Sequence, residues 1–321
     1  MILEVQHETR LSYSEPATEA IAEVRMEPIS DATQSCRSFA LDVSPSTGVF
    51  RYQDGFGNRV HHFNVLVPHV ELTMRAASIV ETYAPTRSLE DSTAQWPVSI
   101  DRGGLDIYDF LHFRGPVTPT AKLQALVSTL QPREGEPLAA VVHRVCSHIH
   151  KNFIYDSQAT LASSPIEDVL TYGRGVCQDF THLMIAILRS YGIPARYISG
   201  YIHRAGKPSE SHAWCEVWLP DVGWLGLDPT NATAVGETFI KVAVGRDFTD
   251  VPPNKGIYRG KASESISVRV ETRERKELPS LSWQEQLPPL ETPLTMIVTG
   301  RHALDLSTED DANEQRQQQQ Q

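Results

Sequence analysis

Cysteine is scarce in this chain, and two targeting signals are missing. Four cysteines, Cys36, Cys146, Cys177 and Cys215, occur in 321 residues, which is too few and too scattered for a disulfide framework and favours a reducing compartment. No stretch approaches the ~20 apolar residues that a membrane span requires. The N-terminus has no positive segment followed by an apolar run, as a signal peptide would. These absences predict a cytoplasmic protein.

Positive charge and cofactor motifs are also lacking. Lys and Arg number 29 against 40 Asp and Glu, which gives a formal net charge of −11. So acidic a chain is poorly suited to nucleic acid or to an anionic membrane surface, and neither is expected as a partner. Gly173-Arg-Gly175 is too short for a phosphate loop, and no Asp-rich loop is present that would bind calcium. We therefore expect no cofactor and no metal.

Apolar residues make up 40% of the chain, which excludes a wholly disordered protein, and the length favours two domains. Residues 1–85 contain short segments of β-branched and polar residues. One of these segments, 60–67, follows a turn signal at Asp54-Gly-Phe-Gly-Asn58. The pattern predicts an N-terminal antiparallel β-sandwich domain. Residues 86–118 are predicted to form a connector.

Helical periodicity begins after residue 118. The first helix carries Leu123, Leu126 and Leu130 on one side, and a second helix is predicted over about residues 137–153. A third follows Cys177 and ends at Gly192-Ile-Pro194. These helices and the strands after them predict a catalytic domain over residues 119–275. Residues 276–321 are predicted to be an extended segment with a disordered, glutamine-ending tail.

Cys177 is predicted to lie in the first turn of the third helix, after a glycine-flanked loop that permits close approach of the backbone. The positive end of a helix stabilises a thiolate, and a nearby imidazolium would stabilise it further. These are the conditions for a nucleophilic thiol. Taken alone, Cys177 is equally compatible with a buried cysteine that continues the apolar stripe of the helix.

Two consecutive predicted strands carry a histidine and an aspartate. Alternation in residues 212–219 places His212 on a face with polar and aromatic groups, as in a pocket lining, and Cys215 on the apolar face. If the strands form a hairpin with Trp218 opposite Trp224, the loop has an odd number of residues. His212 and Asp228 then emerge on the same side of the hairpin.

That geometry assigns a catalytic role to each of three residues. Cys177 is the nucleophile, His212 is the general base that becomes a general acid, and Asp228 orients the imidazole and stabilises its charged form. Asp228 could alternatively be a turn former before a proline, and His212 alone an ordinary histidine. The order of cysteine, helix, histidine strand and aspartate strand favours the joint interpretation.

Two further histidine and cysteine arrangements are disfavoured. A zinc site of Cys177, His182, His212 and Cys215 would need His212 and Cys215 to converge from opposite faces of one strand. His182 lies about 140° around the helix from Cys177, so it is not expected to act as the base. We expect it to pack or bond to the neighbouring domain.

Three segments together resemble the motifs of the transglutaminase-like superfamily. They are Gly175-Val-Cys-Gln-Asp-Phe-Thr-His182, Ser211-His-Ala-Trp-Cys-Glu-Val-Trp218 and Gly226-Leu-Asp-Pro-Thr230. The set is most similar to the bacterial branch, which is often described as cysteine proteases. The likeness covers about residues 1–275. It implies an α+β fold, with a papain-like core preceded by the sandwich, and a triad of Cys177, His212 and Asp228.

The resemblance leaves the acyl acceptor open. Water would make the protein a cysteine protease or amidase acting on a protein or peptide substrate, which is the preferred hypothesis. An amine acceptor would make it a protein-glutamine transglutaminase, and a catalytically idle binding module is a third possibility. We expect the backbone amide of Cys177 to supply one oxyanion donor. Tyr155 is a candidate for the second, although packing is the commoner role of such an aromatic residue. The sequence does not specify the oligomeric state.

Overall fold

The computed structural model describes residues 1–100, 105–160, 164–206, 209–278 and 295–297. The α-helices are α1 (Ala121–Thr129), α2 (Leu138–Asn152), α3 (Ile166–Tyr172) and α4 (Cys177–Ser190), with 3₁₀ helices at Leu89–Asp91, Leu105–Leu111 and Phe248–Asp250. The strands are β1 (Ile2–Ala17), β2 (Glu19–Val24), β3 (Gln34–Ser44), β4 (Val49–Gln53), β5 (Arg59–Val65), β6 (His69–Thr82), β7 (Ile154–Tyr155), β8 (Arg174–Gly175), β9 (Ala195–Ile202), β10 (Glu210–Leu219), β11 (Gly223–Asp228), β12 (Thr233–Ala234), β13 (Phe239–Gly245), β14 (Asn254–Arg259), β15 (Glu264–Arg275) and β16 (Thr295–Ile297).

The N-terminal strands form two antiparallel sheets that pack face to face. One sheet has the order β16-β15-β1-β6-β3 and the other β14-β2-β5-β4. Alternate side chains of both sheets, among them Leu11, Phe63 and Met74, are buried between them. Removing this apolar surface from water holds the two sheets together. The strand-rich N-terminal region is as predicted.

The sandwich also includes strands from far down the chain. β14 pairs with β2, and β15 pairs along β1 from Tyr13 opposite Glu264 to Ile2 opposite Arg275. The predicted catalytic domain, 119–275, includes these two strands, whereas in the structure they complete the sandwich. The predicted tail, 276–321, lies outside the described residues except for 276–278 and β16, which pairs with β15.

The second half of the fold is an antiparallel sheet with helices packed against it. Its strand order is β12-β11-β10-β9-β13. The buried helix α4 packs against β10, and α2 packs on α4, which gives a continuous apolar core. This helix-on-sheet arrangement is the predicted α+β core. Within the described ranges, no helix combines the length and the apolarity needed to cross a membrane.

Side-chain amides join the sandwich to the outer strand of the core sheet. Gln34 accepts from the Lys241 N–H and donates to its carbonyl oxygen, both at 2.8 Å. Asn58 makes the same paired contacts with Val244, at 2.7 and 2.8 Å. Each side-chain amide pairs with the backbone of β13 as a neighbouring strand would. It thereby satisfies backbone groups of β13 that would otherwise be buried without partners. The two halves therefore share a polar seam along β13.

Candidate active site

The N-terminus of α4 is built around a buried carboxylate. Cys177 is the first residue of the helix, and the preceding Val176 has no side-chain acceptor to cap it. Asp179, in the first turn, closes the turn from inside the helix: its Oδ2 accepts the Val176 N–H at 2.8 Å and the Thr160 hydroxyl at 2.5 Å. A Cβ at Gly175 would lie 2.8 Å from the same oxygen. Asp179 and the small Gly175 thus fix the turn that presents the thiol at the positive end of the helix.

The hairpin of β10 and β11 has the predicted register. Trp218 lies opposite Trp224, and Leu219 opposite Gly223, so three residues remain in the loop. His212 and Asp228 consequently emerge on the same side, with the imidazole Nε2 2.7 Å from Asp228 Oδ2. Both side chains are buried. The odd-loop prediction is confirmed, and with it the meeting of these two residues.

Cys177 is close enough to the imidazole of His212 to interact with it. Burial opposes a charge on His212, but hydrogen bonds with Asp228 and Cys177 outweigh it and raise the pKa of His212 to about 10. Since Nε2 faces Asp228, the remaining nitrogen, Nδ1, is the one available to the thiol. Cys177 is only partly buried. The structure thus brings the three predicted residues together, and the two partners favour the charged form of the imidazole.

Asp228 is held by more donors than His212 alone. Its Oδ1 accepts the backbone N–H of Thr230 at 2.8 Å and that of Asn231 at 3.3 Å, and its Oδ2 also accepts Asn231 Nδ2 at 2.6 Å. Burial would raise the pKa of Asp228, but these hydrogen bonds and the one from His212 lower it. Asp228 is therefore both the turn former and the partner of the histidine. The alternating strand pattern gave no signal for Asn231, which follows the strand.

Tyr155 lies close to Cys177. It forms strand β7 with Ile154 and pairs in parallel with Gly175 of β8, two residues before Cys177. Gly173, with a φ of 66°, ends α3 in the left-handed conformation and turns the chain into β8. Burial, followed by negative charge at Cys177, raises the pKa of the Tyr155 phenol to about 12. The half-exposed ring thus lies close to the thiol of Cys177.

Other residues singled out in the sequence lie elsewhere. Cys215 is fully buried in the apolar core, as expected. His182 accepts the Phe248 N–H at 3.1 Å and packs on Tyr197, so its partner is the segment after β13 rather than the sandwich. Burial lowers the pKa of His182 to about 3. In the described parts of the chain, no group of three His, Cys, Asp or Glu side chains is placed to hold a metal ion.

The expectation of a pocket-lining face on β10 is wrong beyond His212. Trp214 and Glu216 share that face but are buried. Glu216 forms ion pairs with Arg196 and Lys241 at 2.6 Å each. The reason is tertiary packing, because this face of the core sheet is covered by other parts of the protein. Alternation predicts which face of the strand a side chain is on, but not whether that face is covered.

Comparison with known proteins adds two family matches. Residues 124–229 match the Transglutaminase-like superfamily, and residues 3–81 match the Bacterial transglutaminase-like N-terminal region. The protein ML0607 of Mycobacterium leprae is 37% identical over 278 residues, which are 84% of this chain and 97% of that protein. The Mycobacterium tuberculosis protein Rv2569c is 34% identical over 289 residues, 83% of this chain and 91% of its own.

Two further similarities concern proteins with a named activity. A "Protein-glutamine gamma-glutamyltransferase" of Pseudomonas aeruginosa is 28% identical over 184 residues, which are 52% of this chain and 28% of that protein. The solved structure of a "Putative Cysteine Protease from Cytophaga hutchinsonii" superposes with a TM-score of 0.68 at 23% identity. It covers 87% of this chain and 93% of the other. This structural likeness establishes a common fold.

Proposed function

The chain belongs to the transglutaminase-like superfamily, and from this premise we propose that it catalyses thiol-dependent acyl transfer. The substrate is a peptide or isopeptide amide, and the preferred acceptor is water, which makes the protein a cysteine protease or amidase. Cys177 is the nucleophile, His212 the acid and base, and Asp228 the residue that orients and charges the histidine.

One observation carries this proposal. His212 Nε2 lies 2.7 Å from Asp228 Oδ2, and hydrogen bonds with Asp228 and Cys177 outweigh burial and raise the pKa of His212 to about 10. A charged imidazole beside a thiol at a helix N-terminus supports a thiolate–imidazolium pair. The proton that the leaving amine will need is then carried by His212.

The acylation step follows from these positions. The Cys177 sulfur attacks the carbonyl carbon of the amide, and a tetrahedral oxyanion forms. His212 then gives its Nδ1 proton to the nitrogen as the carbon–nitrogen bond breaks, so that an amine leaves and a thioester remains on Cys177. The backbone N–H of Cys177, at the start of α4, is a donor available to the oxyanion. We propose the Tyr155 hydroxyl as the second donor.

In the deacylation step, water replaces the amine. Neutral His212 accepts a proton from the attacking water, the carbon–sulfur bond breaks, and a carboxylic acid leaves. The thiolate–imidazolium pair is thereby restored. Water is the preferred acceptor because Cys177 is partly exposed, so that solvent has access to the thioester.

Active-site labelling combined with a competition for the acyl group tests this proposal. The full chain and the Cys177→Ser variant are treated with an acylating probe, and the adduct is located by mass spectrometry. We expect acylation of Cys177 in the wild type. In the variant the acylation rate should be lower by a factor of about 10³ or more. An adduct elsewhere, or equal labelling of both proteins, contradicts the proposal.

A protein-glutamine transglutaminase is the second candidate, and the similarity to the Pseudomonas aeruginosa protein of that name favours it. The same triad would form the same thioester, but an amine would resolve it. Incubation with a peptide library, with and without a labelled primary amine, separates the two activities. Hydrolysis that exceeds amine incorporation supports the preferred proposal, and the reverse ratio supports the transglutaminase.

A catalytically idle binding module is the remaining alternative. It retains the fold, but its thiol has no activating partner. In folded protein near neutral pH, a mild alkylating reagent should modify Cys177 far faster than the buried Cys146 and Cys215. If Cys177 were as inert as those two, the module would be the better description.

A further inference from the structure

Beyond the triad, two polar side chains continue the hydrogen-bonded line away from the thiol. Asn231 Nδ2 donates to Asp228 Oδ2 at 2.6 Å, the same oxygen that His212 contacts. Arg204, just after β9, donates from Nη2 to Asn231 Oδ1 at 3.1 Å. The contacts therefore run from Arg204 through Asn231, Asp228 and His212 to Cys177.

The arginine fixes the direction of the amide. An asparagine side chain presents an oxygen on one side and an NH₂ group on the other, and the two ends have nearly the same shape. A guanidinium can only donate, so Oδ1 must face Arg204 and Nδ2 must face Asp228. With the amide reversed, its oxygen would point at the Asp228 carboxylate and repel it. Arg204 thus keeps the NH₂ group of Asn231 directed at the carboxylate of Asp228.

We propose that Asn231 and Arg204 are positioning residues for Asp228, and through it for the charged His212; the inference rests on the proposed function. Two donors on Oδ2 and two backbone donors on Oδ1 leave the carboxylate little freedom to rotate. Its orientation toward the imidazole is therefore set before substrate binds. In this arrangement the loop after β9 acts on the thiol through Asn231, Asp228 and His212.

Two side chains of α2 also approach the turn that contains Asp228, but they do not position its carboxylate. Cys146 of α2 approaches the backbone carbonyl of Asp228, Sγ to O at 3.6 Å, and His150 of the same helix contacts the carbonyl of Thr230 at 2.8 Å. Both meet the backbone rather than the carboxylate. Burial and the nearby Asp228 charge raise the pKa of Cys146 to about 12, so it remains a neutral thiol in the range tested below.

Alkylation of Cys177 by iodoacetamide measures this effect without a known substrate. The second-order rate is followed by mass spectrometry of the Cys177 peptide in the full chain between pH 6 and 9.5. We expect Asn231→Ala and Arg204→Met each to lower the rate about tenfold at pH 6 to 7, because a mispositioned imidazolium supports less thiolate. Near pH 9.5, where an ordinary thiol is ionised without help, both rates should approach that of the wild type.

Three further variants distinguish positioning from a general structural role. Arg204→Lys keeps a cationic donor and should recover most of the rate lost in Arg204→Met. The double variant Asn231→Ala, Arg204→Met should be no slower than Asn231→Ala alone, since the two residues act in series. Asn231→Asp places a second carboxyl beside Asp228, so its deficit should grow as the pH rises from 6 to 8 and that group ionises.

The control variants are Asn64→Asp and Arg259→Met, both on the sandwich. They change the net charge by the same amount as Asn231→Asp and Arg204→Met, respectively, and should leave the alkylation rate unchanged. An inert wild-type Cys177 would refute the proposed function itself. A reactive wild type with unchanged Asn231 and Arg204 variants would refute only the positioning role. A deficit equal at every pH, or additive in the double variant, would also refute it.

Discussion

At the residue scale, Tyr155 offers a sharp prediction. If its hydroxyl helps to hold the oxyanion, Tyr155→Phe removes one donor that acts mainly in the transition state. We expect kcat to fall about 10- to 100-fold with KM little changed, measured on whichever amide the labelling experiment identifies. The control is Tyr172→Phe, an exposed tyrosine at the end of α3. A higher KM with an unchanged kcat would instead assign Tyr155 to packing against the substrate.

Three residues of the site carry a local signal in the sequence, and two do not. Cys177 was predicted because a helix pattern starts at it, and His212 and Asp228 because alternation places each on a definite face of its strand. Asn231 and Arg204 have no such signal. They lie 27 positions apart, and their contact exists only because the loop after β9 and the turn after β11 meet in three dimensions.

At the scale of elements, the entry to α4 is the critical feature. A methyl group at Gly175 would lie within 3 Å of the Asp179 side chain, so Gly175→Ala should displace the capping carboxylate. We expect a loss of about 1–3 kcal/mol in the free energy of unfolding. The alkylation rate of Cys177 should fall about 10- to 100-fold as the thiol moves. Denaturant unfolding and alkylation measure the two effects.

Gly48→Ala is the matched change, because its new methyl group meets nothing within 4 Å. It should leave both stability and alkylation as they are. If Gly175→Ala behaved like Gly48→Ala, the turn before Cys177 would be more adaptable than its contacts with Asp179 indicate, and the rigid presentation of the thiol would have to be abandoned.

Helices and strands were predictable from the sequence where the local pattern of apolar and polar residues determines them. The hairpin register followed from alternation and loop parity, and apolar spacing predicted three of the four α-helices in the described part of the chain. Helix α3 and the two-residue strands β7 and β8 were missed, because such short elements are held by their tertiary contacts and carry too few residues to show a period. The pairing of β15 with β1 was also beyond local pattern, since alternation marks a strand but not its neighbour.

At the scale of the whole molecule, two buried histidines predict acid sensitivity. Burial lowers the pKa of His7 to about 4 and that of His182 to about 3. The unfolded chain therefore binds protons near pH 6.5 that the folded chain does not, and stability falls as the pH drops from 6.5 toward 4. Each histidine should remove about 1.4 kcal/mol per pH unit within that window.

Urea unfolding at several pH values between 7 and 4.5 checks this expectation. His182→Asn and His7→Gln should each flatten the dependence of the unfolding free energy on pH. An unchanged slope in both buried variants would mean that acid sensitivity arises from other groups.

The charge on His212 is the central claim, and an NMR titration of its imidazole tests it most directly. In ¹⁵N-histidine-labelled full chain, both ring nitrogens of His212 should carry protons at pH 8, and the group should titrate at about 10. Cys177→Ala should lower that pKa, because one of the two stabilising partners is lost. A neutral His212 ring at pH 8 in the wild type, titrating at or below the ordinary value of about 6.5, would contradict the account.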